Sequence, residues 1–138
     1  MENKEINKIQ KEFDLGAILN ITTKRLFTSM EDVYEVLNYL TGDSIYTHQI
    51  PRVMPIAKAY VLSLHPELTG VGDTVEINSF DAAKSFINEQ KKVFGNKLPL
   101  SPMGKTDGYS YVDPIEEVID MTSGKTNKKV LKPSKNTK

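Results

Sequence analysis

Only two of the eighteen basic residues in this 138-residue chain are arginine, and both stand in short polar motifs, Thr22-Thr23-Lys24-Arg25 and Thr47-His48-Gln49-Ile50-Pro51-Arg52. Where bare positive charge suffices the chain uses lysine, so an arginine position points to a need for the planar guanidinium, which grips a carboxylate or a phosphate with two parallel hydrogen bonds. Threonine hydroxyls and backbone amides near a helix start are suitable companions at such an anion site. His48 and Gln49 add donors able to read a phosphate or the edge of a base. The candidate ligand-binding set is therefore Thr22, Thr23, Arg25, Thr47, His48, Gln49 and Arg52. The same side chains have an internal use. Either arginine can close an ion pair with an acid of the chain, Asp14, Asp43 or Glu35 for example, and His48 can satisfy its ring nitrogens inside its own loop. His65, directly before Pro66, reads as a helix C-terminal cap. A metal site from His48 and His65 has no support from spacing, and no metal or cofactor is expected.

Catalytic signatures are missing from the sequence. The chain has no cysteine, which removes thiolate nucleophiles, disulfide frameworks and cysteine-ligated metals. It has no glycine-rich phosphate loop, no Gly-x-Ser-x-Gly elbow and no His-Glu-x-x-His. The Glu116-Glu117 pair falls on the first turn of an expected helix, where it complements the helix dipole. The sequence thus favours a binding protein over an enzyme.

The elements that must position these residues follow from periodicity. Ile6, Ile9 and Phe13 share helical spacing. Asp14 can cap a short helix with Leu15, Ile18, Leu19 and Thr22 on one face. Ser29 caps a third helix whose stripe is Met30, Val33, Val36, Leu37 and Leu40, with Gly42 as its left-handed stop. Val53, Ile56, Ala57, Tyr60, Val61 and Leu64 predict a fourth, starting near Met54 or kinked at Pro55. Ser79 caps another, through Phe80, Ala83, Phe86, Ile87 and Val93 to Gly95. Thr74–Asn78 and Tyr109–Val112 alternate like two short paired strands, Leu98–Gly104 reads as extended loop, and Asp113-Pro114 starts a last helix to about Met121. The expectation is a mainly helical α+β domain over residues 1–121, with four to five helices and one two-stranded β element.

Formal charge sums to zero, but unevenly. Residues 122–138 hold six lysines and no acid, which leaves twelve basic against eighteen acidic side chains, net −6, on residues 1–121. This basic tail is too polar to fold alone and is expected to be disordered, either as a solubilising end or as an arm for nucleic acid or an acidic surface. The apolar run Leu15–Ile21 follows Glu12 and Asp14 and has no cleavage site, and Lys58 interrupts the longest other apolar stretch. Neither secretion nor a membrane span is expected.

Leu15-Gly16-Ala17-Ile18-Leu19, Thr22–Leu26, Val33–Gly42, Thr47–Arg52 and His65-Pro66-Glu67-Leu68 together resemble a family of small uncharacterised proteins encoded by bacteriophages and prophages. The resemblance spans about residues 14–70, and Thr-His-Gln-x-Pro-Arg is its most distinctive part. The family pattern carries glycine where this chain has Lys24. What the resemblance implies is a phage accessory protein in the host cytoplasm. Such proteins commonly act by binding, so the expected function is stoichiometric sequestration of a phosphate-bearing nucleotide of host defence, with sites in a homo-oligomer. Arg52→Ala would then abolish binding without unfolding the domain. The alternatives are an inhibitor that docks its acidic body on a host nuclease or another defence protein, and a nucleic-acid binder acting through the lysine tail.

Overall fold

The computed structural model describes residues 10–104 and 107–123. Helix α1 (Leu15–Thr23) lies at the centre, with every one of its residues buried. It follows strand β1 (Lys11–Asp14) directly, because the Asp14 carboxylate accepts from the Gly16 amide at 3.0 Å and caps the first turn. Glycine is required at position 16 by proximity: a Cβ there would stand 2.9 Å from Thr28 Cγ2. The helix ends at Lys24 in the left-handed conformation, φ 58°, ψ 29°. Buried Asn20 then folds the following loop back, accepting from the Phe27 and Thr28 amides and donating to Thr28 Oγ1 at 2.7 Å.

Around α1 pack α2 (Met30–Thr41), α3 (Ile50–Leu64) and α4 (Phe80–Phe94). Ser29 and Ser79 cap α2 and α4, and Gly42 closes α2 with φ 77°, as their sequence signals predict. Their apolar stripes, Val33, Val36, Leu37 and Leu40 on α2, Val53, Ala57 and Val61 on α3, and Ala83 and Ile87 on α4, enclose Leu15, Ile18, Leu19 and Ile21. Burial of each large aliphatic side chain stabilises the fold by about 1.5–3 kcal/mol. Helix α3 begins at Ile50, earlier than expected, and runs through Pro55. The exposed edge of the helix at Pro55 lets water serve the carbonyl that proline cannot bond.

The expected β element is present with different strands. Lys11–Asp14 pairs antiparallel with β2 (Lys97–Leu100), Lys11 opposite Leu100 and Asp14 opposite Lys97. Phe13, placed by spacing on a helix, is the buried residue of β1, and Ile6 and Ile9 lie outside the described residues. Thr74–Asn78 and Tyr109–Val112 form no strand pair. Carbonyls of the second segment instead accept from side chains of Gln49 and Arg52. Pro99 is compatible with β2 because alternate residues of a two-stranded pair aim their N–H outward. A last helix, α5 (Pro114–Ser123), extends two residues past Met121. The tail from residue 124 on, and with it the expectation of disorder, lies outside the described residues. Among the described residues no helix is long and apolar enough to cross a membrane.

Candidate functional site

The segment from Tyr46 to Arg52 is a short 3-10 turn, Thr47–Gln49, running into α3. It closes on itself through Gln49, whose Oε1 accepts from the Tyr46 amide at 3.0 Å while its own amide donates to the Tyr46 carbonyl at 2.8 Å. The outer face of the turn then holds residues 109–117. Gln49, 2% exposed, donates through Nε2 to the Val112 carbonyl at 3.1 Å and to Glu117 Oε1 at 2.9 Å. Arg52 grips the same carboxylate with two prongs, Nε to Oε2 at 2.9 Å and Nη2 to Oε1 at 3.1 Å, and Nη1 reaches the Ser110 carbonyl. The Arg52 guanidinium also lies 5.7 Å from the ring centre of Tyr109, whose hydroxyl donates to Asp43 at 2.7 Å. His48 Nε2 contacts the Pro114 carbonyl at 2.9 Å. The motif thus joins the α2–α3 corner to the start of α5.

Electrostatics follow from this geometry. Hydrogen bonds from Arg52 hold the Glu117 carboxyl below the ordinary glutamate range, and the same pair raises the Arg52 guanidinium. Burial, reinforced by its bond to Asp43, pushes the Tyr109 phenol up to about 12. The three acids that spacing offered as arginine partners are engaged elsewhere: Asp14 with Lys91, Glu35 with Lys11, Asp43 with Tyr109. The partner of Arg52 is Glu117, whose side chain is buried in an ion pair and does more than complement a helix dipole.

Arg25 sits in a second, separate cluster. It donates to the Gly72 carbonyl at 2.7 Å, lies over the Phe27 ring at 5.4 Å, and shares no polar partner with Arg52. Thr23 Oγ1 donates back to the Leu19 carbonyl at 2.6 Å and accepts from the Arg25 amide. Thr22 is buried, its hydroxyl unpartnered among the described residues. Thr47 is exposed and hydrogen-bonded to the Tyr34 hydroxyl. Of the seven candidates, then, Thr47, His48, Gln49 and Arg52 come together and Thr22, Thr23 and Arg25 form their own group around the end of α1. His65 takes the C-cap position of α3 and turns its Nε2 to the Pro99 carbonyl at 2.6 Å.

Beside the Tyr46–Arg52 turn lies an open cleft of about 720 Å³. Tyr46 and His48 form one wall; Tyr111, Ile115, Val118 and Ile119 form the other. Ile115 is 72% exposed, Tyr111 61%, and Tyr46 and Ile119 55% each, so this is apolar surface in contact with water. The Asp113 carboxylate also lines the cleft and caps α5 by accepting from the Ile115 amide at 2.8 Å. Among the described residues no group of three His, Asp or Glu side chains could hold a metal ion.

Residues 13–71 match the model of a domain of unknown function, DUF7736. The DUF7736 match covers the end of β1, all of α1, α2 and α3, and the Tyr46–Arg52 turn, and it stops before residues 109–117, against which the turn is held. No curated protein and no solved structure matches the chain.

Sequence reasoning singled out the turn but missed the opposite wall of the cleft. A signal was available: Ile115, Val118 and Ile119 recur at i, i+3 and i+4 on a helix whose other positions are largely acidic or polar. Such a stripe marks an apolar face, and spacing alone does not say whether the core or a partner covers it.

Proposed function

We propose that this protein acts by docking: the cleft between the Tyr46–His48 turn and α5 receives an amphipathic segment of a partner protein, apolar on the face that enters and basic at its flanks. The observation that carries this reading is the exposed stripe Ile115, Val118 and Ile119 opposite Tyr46. Exposed apolar groups gathered in one concave site with aromatic rings are the usual anchor of helix-in-groove recognition. Three acids, Asp113, Glu116 and Asp120, stand on or beside the stripe and favour a basic partner. A phosphate-bearing nucleotide is less well served, since both prongs of Arg52 are on Glu117 and the acid in the cleft lining would repel phosphate. The protein would act by occupancy, without catalysis. For a chain that resembles phage-encoded proteins and carries net charge −6 on residues 1–121, the fitting target is a host defence protein with a basic nucleic-acid-binding surface.

The test is a pair of NMR titrations of the ¹⁵N-labelled full chain, one with a synthetic helical peptide of leucine and lysine only, one with ATP. The expected result is that the peptide shifts Tyr46, His48, Tyr111, Ile115 and Ile119 and that Ile115→Asp removes the effect at unchanged melting temperature. Shifts of these residues by ATP and not by the peptide would overturn docking in favour of nucleotide sequestration. Peptide shifts centred elsewhere would overturn the assignment of the cleft.

A further inference from the structure

Val130 and Leu131 stand between Lys128-Lys129 and Lys132, with proline following. That is the same chemistry, an apolar pair with basic flanks, that the cleft is suited to take. From these observations we infer that the C-terminal segment around Lys128–Lys132 folds back into the Tyr46–α5 cleft of its own chain and occupies it until a partner displaces it. The inference rests on the docking role of the cleft.

Reach allows it. Helix α5 ends at Ser123, and Ile115 lies eight residues back along it, about 12 Å at helical rise. Six residues lie between Ser123 and Val130, and the seven steps span up to about 24 Å when extended, enough for a return along the helix. Charge is complementary: Asp113, Glu116 and Asp120 close no ion pair among the described residues, while the six lysines after Ser123 face no acid within their own segment. A segment tethered this closely has a local concentration in the millimolar range, so even a weak contact is populated, and an external ligand must compete with it.

Because the chain has no cysteine, Val130→Cys gives a single attachment point for a nitroxide label. In the labelled full chain, amide peaks of Tyr46, Tyr111, Ile115 and Ile119 should fall by about twofold or more relative to the reduced label, as partial occupancy at millimolar local concentration requires. The peak of Phe80, which lines a different cleft, should not. Adding Glu116→Lys should weaken the effect. A companion variant, Val130→Asp with Leu131→Asp, should bind the leucine–lysine peptide about two- to tenfold more tightly, the factor by which the tail competes. Equal attenuation at Phe80 and Ile115, or none at either, overturns the inference while leaving peptide docking intact. Attenuation that arises only when labelled chain is mixed with ¹⁵N chain overturns it too, in favour of a second copy as occupant. If attenuation is intramolecular and the peptide fails to bind even the companion variant, self-occupancy stands and docking of a foreign partner falls.

Discussion

Helices α1 and α5 are nearly equal in length, nine and ten residues, and are held by opposite means. Every residue of α1 is buried and its apolar side chains are consumed by the core. On α5, from Pro114 to Thr122, only Glu117 is buried, and its carboxylate and the Pro114 carbonyl tie the helix to Gln49, Arg52 and His48. Apolar packing is diffuse and cannot be cut at one point, whereas an ion pair can be removed by one substitution or one proton. The difference also separates two settings of apolar residues: those of α1 are packed in the core, and Ile115, Val118 and Ile119 of α5 are exposed.

The comparison breaks hardest at α1. Ile18→Ala removes a fully buried side chain from the centre of the cluster and should cost about 2–5 kcal/mol of global stability, a large share of what a domain of this size has. Chemical denaturation would show one transition at a lower midpoint, with α5 lost together with everything else. An effect under about 1 kcal/mol would mean that the cluster repacks around the site and that α1 is not its keystone.

Arg52→Ala acts on the other helix. It strips the Glu117 carboxylate of both guanidinium bonds in a place where water reaches it poorly, a loss of about 1–3 kcal/mol that falls on the docking of α5. Amide exchange over residues 110–121 should speed up while that of Ile18 and Leu19 stays unchanged. Acid offers a second route to the same state. The folded Glu117 carboxyl titrates below its unfolded value, so its stabilisation is complete above that value, about 4.3, and fades as the pH falls from there through the folded one. NMR shifts of Ile115 and Ile119 should report the release of α5 in that window, and Arg52→Ala should flatten the titration. If exchange in α1 accelerates equally, the two helices are one cooperative unit and the contrast between them fails.

Much of this fold was legible in the sequence, for reasons visible in particular residues. Ser29, Ser79 and Asp14 cap helices because a short side chain with an acceptor precedes an apolar stripe, and Gly42 stops α2 because the backbone there must turn left-handed. The strands were not legible. Lys11–Asp14 buries only Phe13, so it shows no alternation, and Phe13 happens to continue a helical spacing from Ile6 and Ile9. Its partner β2 contains Pro99, which argues against a strand until the sheet is known to have only two. At the site, the scarcity of arginine drew attention to Thr47–Arg52, yet nothing local could choose Glu117 among eighteen acids, because that contact spans 65 residues. Arg25, marked by the same scarcity, binds a backbone carbonyl, a partner with no signature in sequence.

The smallest effect expected sharpens the contrast from the α1 side. Lys24 is the sole non-glycine residue with positive φ among those described. Its Cβ crowds the following carbonyl in this conformation, at a cost of about 1–2 kcal/mol, while glycine loses somewhat more backbone freedom on folding. Lys24→Gly should therefore stabilise the domain by about 0.5–1 kcal/mol and raise the melting temperature by about 2–4 °C. The exposed lysine side chain makes no ion pair among the described residues that the change would remove. Because the gain enters through the end of α1, it should slow global exchange in the core and leave the faster, local opening of residues 110–121 where it was. A melting temperature that rises with slower opening of α5 would instead mean that the turn after α1 transmits order to the far side of the molecule, and the two helices would have to be treated as coupled.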